Sequence, residues 1–264
     1  MKLKNSLVLT IFITTVYAGF AVAKNQTIFV GTVEYPPLMG KKTGLATEIV
    51  KAAFKSQNID VVYEVYPMSR IIWSVENSIN VASVGSRDWI KADQDADKII
   101  NTTFYYTNMN LFYLKERFPN GFNYRDLSNL KPYSIGYIRG GSLTQLLENQ
   151  ALNIIYSATM NANVRLLEIN RVDFIAATEL GGWGALEKHS TRPLADFARA
   201  EQNIHTISGD ILFPESQEQL KATFETGLKS IINSGQYETI LSRYHKTGPM
   251  PRNLKDLVKH WKGL

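Results

Sequence analysis

Two long extended runs constrain this chain more than any other feature. Thr102 to Lys115 (TTFYYTNMNLFYLK) is aromatic and β-prone, and Asn203 to Phe213 (NIHTISGDILF) again reads as extended. The first is long enough to pass from one domain into another, and together they bracket a middle unit with its own strands and helices. The simplest organisation is a discontinuous first domain, residues 24–108 plus 206–264, and a continuous second domain, residues 109–205, joined by a two-strand hinge.

Both units read as α/β. In the first, Thr27 to Val33 is a β-rich run broken by Tyr35-Pro36-Pro37, after which Leu45, Ile49, Val50, Ala53 and Phe54 share a helical stripe. Val61 to Val65 forms a second strand, Pro67 and Ser69 open a helix, and Val81 to Val84 forms a third strand ending at Gly85-Ser86-Arg87. Strand, helix, strand, helix, strand predicts a largely parallel sheet with its loops gathered at the strands' carboxyl ends. Trp89 to Lys98 is charged and loop-like. In the middle unit, strands at Ser134–Tyr137, Ile154–Tyr156 and Asp173–Ala177 alternate with helices after Gly141 and from Ala162 to Ile169, and Gly181, Gly182 and Gly184 mark a glycine-rich helix start. Two amphipathic helices, Glu215 to Asn233 and Tyr237 to His245, complete the plan.

The stretch from Pro132 to Asn149 (PYSIGYIRGGSLTQLLEN) is the first candidate site. It reads as a strand, a Gly140-Gly141 turn and a helix capped by Ser142, whose first amides have no internal partners and would face an anion. Taken alone, the glycines are read more simply as a plain strand-to-helix turn.

Lys2 and Lys4 precede an uncharged run, Asn5 to Ala23, that closes on Ala-Val-Ala. This has the form of a cleaved secretory signal, residues 1–23, with the mature chain starting at Lys24 and exported to the periplasm. Its removal leaves 27 basic against 24 acidic side chains, a formal +3, too mild for a nucleic-acid footprint. With no cysteine, the chain has no disulfide, no thiolate metal site and no lipidated amino-terminal cysteine. The four histidines are scattered without metal spacing, no G-x-S-x-G or H-E-x-x-H occurs, and the glycines do not form G-x-G-x-x-G after a strand. No cofactor, metal or catalytic residue is therefore expected.

Motifs along nearly the whole mature chain resemble those of the family 3 bacterial extracellular solute-binding proteins, the periplasmic amino-acid-binding proteins of ABC importers. They are Tyr35-Pro36-Pro37-Leu38, Gly44 to Ile49, Pro67-Met68-Ser69-Arg70, Phe104-Tyr105-Tyr106-Thr107, Asp126-Leu127 through Ile135-Gly136, Asn170-Arg171-Val172-Asp173 and Gly235 to Ile240. Each is weak alone; their order and spacing carry the resemblance. It implies the periplasmic binding protein-like II fold, in which two α/β domains close over a ligand like a hinge. It further implies a monomer that captures a small polar metabolite, an amino acid or related compound, and passes it to the importer's permease in the inner membrane.

The resemblance also implies a ligand set. Arg87 is the candidate fork for a carboxylate, Ser142 and the Gly141 amide would share it, and Glu179 lies near the family's ammonium acid. Tyr35, Phe104 and Trp183 would wall the pocket, and Arg70 is a further candidate in the first turn of its helix. The gap after Arg87 is longer than the family's, its threonine-rich approach is replaced by Ser83-Val84-Gly85-Ser86, and Glu179 is one residue off register. A receptor for a membrane signalling partner, or an exported dehydratase-like enzyme drawing on Glu34, Glu48 or Glu179, are the alternatives.

Overall fold

The computed structural model describes residues 26–91, 94–245 and 252–263. The expected signal segment, residues 1–23, lies outside them. Strands β1 (Gln26–Thr32), β2 (Ile59–Val65) and β3 (Ala82–Gly85) alternate with helices α1 (Leu45–Lys55) and α2 (Met68–Glu76). In α1, Leu45, Ile49, Val50, Ala53 and Phe54 recur at helical spacing and are completely buried. β1 lies parallel to both β2 and β3.

The chain then crosses in one long strand, β4 (Ile99–Leu114). A second lobe repeats the alternation: β5 (Ser134–Ile138), α3 (Thr144–Asn149), β6 (Asn153–Ser157), α4 (Met160–Glu168), β7 (Phe174–Thr178) and α5 (Glu179–His189). The return is β8 (Phe197–Pro214), followed by α6 (Glu218–Asn233), α7 (Gln236–Tyr244) and α8 (Arg252–Lys262). No helix among the described residues is long and apolar enough to cross a bilayer.

All eight described strands form one sheet in the order β2-β1-β3-β8-β4-β7-β5-β6. The largely parallel sheet expected from the sequence is present within each lobe and stops at the join. β8 is antiparallel to β3 and to β4, and β4 is antiparallel to β7. Two strands that cross and return between the lobes must run in opposite directions, and parallel pairing needs a crossover that neither has.

The apolar cores follow the same division. One cluster draws only on residues 28–105 and 211–258, packing α1, α2 and α6–α8 on the first lobe's strands. Two further clusters, from residues 109–207, cover the two faces of the second lobe's strands. Phe118 stacks on Phe174 at 5.0 Å and 12°, and Phe122 and Tyr133 close the same aromatic group, which seats the loop after β4 against β7.

The join is tied by a buried carboxylate. Asp210 accepts hydrogen bonds from the Arg87 N–H (2.7 Å), Ser208 Oγ (2.6 Å), Thr103 Oγ1 (2.6 Å) and Asn101 Nδ2 (3.2 Å), so the exit of β3, β4 and β8 meet at one side chain. A charge can sit fully buried only because four donors replace its water. Asp210→Asn keeps the shape but turns an NH2 group toward two of those donors. It is expected to lower unfolding stability by at least about 2 kcal/mol, read as a shifted denaturant midpoint at unchanged slope.

Candidate functional site

The crossing strands form the floor of a cavity between the lobes. Side chains alternate along a strand, so Tyr105, Thr107 and Met109 of β4 share one face. Their register partners Gly209, Ile207 and Thr178 line it too. The first lobe adds Tyr35, Leu38 and Met39 after β1, Met68 at the start of α2, and Ser86 and Trp89 after β3. The second adds Tyr137 and Ile138 at the end of β5, Gly141 and Ser142 in the turn beyond, Met160 opening α4, and Ala176 and Ala177 in β7. The space, counted to its mouth, is about 630 Å³, of which about 50 Å³ is open to the centre of a water molecule.

The chemistry of this lining is neutral. Among the described residues, no Lys, Arg, His, Asp or Glu lines it. Burial raises the phenols of Tyr35 and Tyr105 above their ordinary value and pushes Tyr137 up to about 12, so all three stay protonated at neutral pH. The polar atoms are hydroxyls already in use. Tyr137 OH accepts the Leu143 N–H at 3.0 Å, and Ser86 Oγ lies 3.2 Å from Ser208 Oγ, which itself donates to Asp210.

Of the residues expected from the sequence, Tyr35, Gly141 and Ser142 line the cavity and five do not. Arg87 is turned away because Ser86 caps a single 3-10 turn, accepting the Asp88 N–H at 3.1 Å. That turn sends the guanidinium to the Ile99 carbonyl (3.2 Å) and Asn101 Oδ1 (3.0 Å) and puts Trp89 in the wall instead. A ladder irregularity between Thr103 and Tyr105 displaces Phe104 into the first lobe's core, 6.0 Å from Phe224, with its carbonyl bonded by Tyr237 OH at 2.7 Å. Tyr105 takes the place expected for Phe104. Arg70 is exposed and stacks over Trp73 at 5.5 Å, leaving Met68 of the same motif to line the cavity. Glu179 pairs with Arg199 at 3.2 Å, and Trp183 meets the edge of Phe112 within the second lobe's core.

The glycine turn also departs from its expected chemistry. The Gly141 N–H donates to the Ile138 carbonyl at 3.1 Å, closing a turn whose third residue, Gly140, has φ +74° and so favours glycine. Ser142 does not cap the following helix: α3 starts at Thr144 behind Leu143 and has no side-chain cap. Its short length, with the Gly141, Leu143 and Thr144 amides bonded to Ile138, Tyr137 and Gly141, makes this a packed turn. The sequence reading missed Tyr105, Thr107 and Met109, although their two-residue spacing was visible in the first extended run.

The lobes touch where the Tyr35-Pro36-Pro37 loop meets α5. Tyr35 OH accepts from the Thr178 N–H (3.3 Å) and Thr178 Oγ1 (3.2 Å) across the gap. Glycine makes the approach possible. A Cβ on Gly181 would stand 2.3 Å from Tyr35 Oη and one on Gly184 would stand 2.5 Å from Pro37 Cδ, whereas one on Gly182 would strike Phe112 inside the second lobe. Beside this contact His245 Nε2 lies 3.1 Å from Tyr105 OH. Among the described residues, no group of His, Cys, Asp or Glu is arranged to hold a metal ion.

No protein-family model and no curated protein sequence matches the chain. Solved structures match over most of its length. A histidine kinase sensor domain with similarity to periplasmic binding proteins aligns at TM-score 0.70 and 18% identity, over 84% of this chain and 96% of that one. The GluR0 ligand-binding core in complex with L-glutamate aligns at 0.71 and 16%, over 83% and 98%. An ancestral arginine-binding protein bound to arginine aligns at 0.66 and 14%, over 84% and 99%. At these identities the likeness establishes the fold.

Two substitutions separate closure from folding. Gly184→Ala sets a methyl against Pro37 across the lobes, at an overpacking cost of about 1–3 kcal/mol. It is expected to enlarge the radius of gyration in small-angle scattering with little change in unfolding midpoint. Gly182→Ala strikes Phe112 within one lobe and is expected to lower the midpoint and leave the lobe arrangement unchanged.

His245 gives a pH signature. Burial lowers its pKa from 6.5, more than nearby Glu179 raises it. The unfolded chain therefore takes up the proton first, so stability is level above about pH 6.5 and falls as pH drops from there toward the lower folded-state pKa. His245→Gln keeps a partner for Tyr105 and is expected to flatten the melting temperature between pH 7 and 5.

Proposed function

We propose that this chain, which has the type II periplasmic binding protein fold, is an exported binding protein that closes its two lobes around a small molecule. The lobes are residues 24–108 plus 206–264 and residues 109–205, and they close about β4 and β8. It acts as a monomer in the periplasm and hands its closed form to the permease of an ABC importer. The observation that carries this reading is the cavity itself. It is built from both lobes, floored by the crossing strands, and latched by Tyr35 on Thr178.

The histidine kinase sensor domain among the structural neighbours favours a second reading, in which the closed form is passed to a membrane receptor. Both use the same closure and differ in the partner. Little supports catalysis. Glu34 lies by the Lys41 amide, Glu48 is held by Arg243 and Tyr244, and Glu179 by Arg199, and none of them lines the cavity.

Thermal-shift screening of the purified protein tests the binding reading. A ligand at a hundred times its Kd adds about 2.7 kcal/mol of stability and is recovered unchanged, whereas turnover would sink a binding-only role. Tyr35→Phe removes a hydrogen bond made only when the lobes are closed. It is expected to weaken binding by about fivefold, near 1 kcal/mol, and to leave the unfolding midpoint of the free protein nearly unchanged.

A further inference from the structure

The lining of the cavity points to the class of molecule it takes. We infer that the ligand is a small, uncharged, ring-bearing compound and not a zwitterionic amino acid; this rests on the closure proposed above. Four of the chain's six methionines line this one cavity, Met39 and Met68 from the first lobe and Met109 and Met160 from the second. The other two, Met1 and Met250, lie outside the described residues. Thioether sulfur is polarizable, the unbranched side chain adapts to irregular shapes, and sulfur settles favourably about 5 Å from aromatic rings. The same cavity is lined by four aromatic side chains, Tyr35, Trp89, Tyr105 and Tyr137.

A charged ligand would fare badly here. A carboxylate or ammonium moved out of water into an apolar wall needs a charged or strongly hydrogen-bonding partner. The side chains that could serve are engaged elsewhere: Arg87 with Ile99 and Asn101, Arg70 over Trp73, and Arg199 with Glu179. Asp210 is fully buried beneath Ser208, and its oxygens already accept four hydrogen bonds. On the opposite wall the Gly141 and Leu143 amides are taken by the Ile138 carbonyl and Tyr137 hydroxyl. What the cavity offers is the exchange of neutral hydroxyl hydrogen bonds, suited to a single hydroxyl, carbonyl or ring N–H. An amino-acid site would show the reverse, with one cation and one acid facing inward.

Matched pairs test this directly: indole against L-tryptophan, and 4-methylphenol against L-tyrosine, by titration calorimetry with small-angle scattering as the readout of closure. Each pair shares a ring and differs by the zwitterion. The ring compounds are expected to bind at least about tenfold more tightly, with a negative heat-capacity change and a smaller radius of gyration. Tighter binding of an amino acid, from these pairs or from arginine or glutamate run alongside, overturns the ligand class and leaves closure around a small molecule standing. Silence from every compound in both measurements overturns both readings. Met68→Leu with Met160→Leu keeps the volume and removes two sulfurs, and is expected to weaken indole by about threefold or more. Unchanged indole affinity in that variant overturns the methionine contribution.

Discussion

The antiparallel pairing of β4 with β8 is the constraint on which the rest depends. It runs in register from Ile99 opposite Pro214 to Leu114 opposite Phe197, through both lobes. Because it is, among the described residues, the only strand pair shared by them, it serves at once as the centre of the sheet, the connection between lobes and the floor of the cavity. Its interruptions matter as much as its length. The shifts at Thr103/Tyr105 and around Met109 to Phe112 change which side chains face the cavity as the strand passes from one core to the other. Asp210 fixes the upper end of this region, while in the second lobe Asp173 does a similar task. It accepts the Ser134 N–H and Oγ at 2.8 Å and pairs with Arg117. Burial raises the Asp173 pKa, but those bonds outweigh it and hold the carboxyl below its ordinary range.

Much of the fold was legible because it is written in periodicity. The stripe from Leu45 to Phe54, the β-rich runs and the two crossings gave the strands and helices up to α7 to within a few residues, whereas α8 (Arg252–Lys262) was not anticipated. The direction of the crossing strands was not legible, since pairing partners far apart in sequence leave no local pattern. The return strand also begins at Phe197, six residues ahead of the extended run that signalled it, because Phe197 to Gln202 is drawn into the ladder by β4 and not by its own composition.

The site was legible as a place more than as a set of residues. The loops at strand ends do meet there, as the fold class requires, and Tyr35, Gly141 and Ser142 are among them. Which neighbour of a motif faces inward depends on single-residue geometry that spacing does not encode. One 3-10 turn exchanges Arg87 for Trp89, one ladder shift exchanges Phe104 for Tyr105, and one helical step exchanges Arg70 for Met68. In each case an aromatic or thioether side chain lines the cavity, and in two of the three it does so where an arginine was expected.

The contact between the Tyr35 loop and α5 has a consequence for how closure is driven. It is made of proline rings, one phenol and bare helix backbone at Gly181 and Gly184, with no ion pair in it. Such a surface has little side-chain freedom to lose when the lobes meet. In the closure proposed above, the balance between open and closed forms is therefore set chiefly by shape and by the occupant of the cavity.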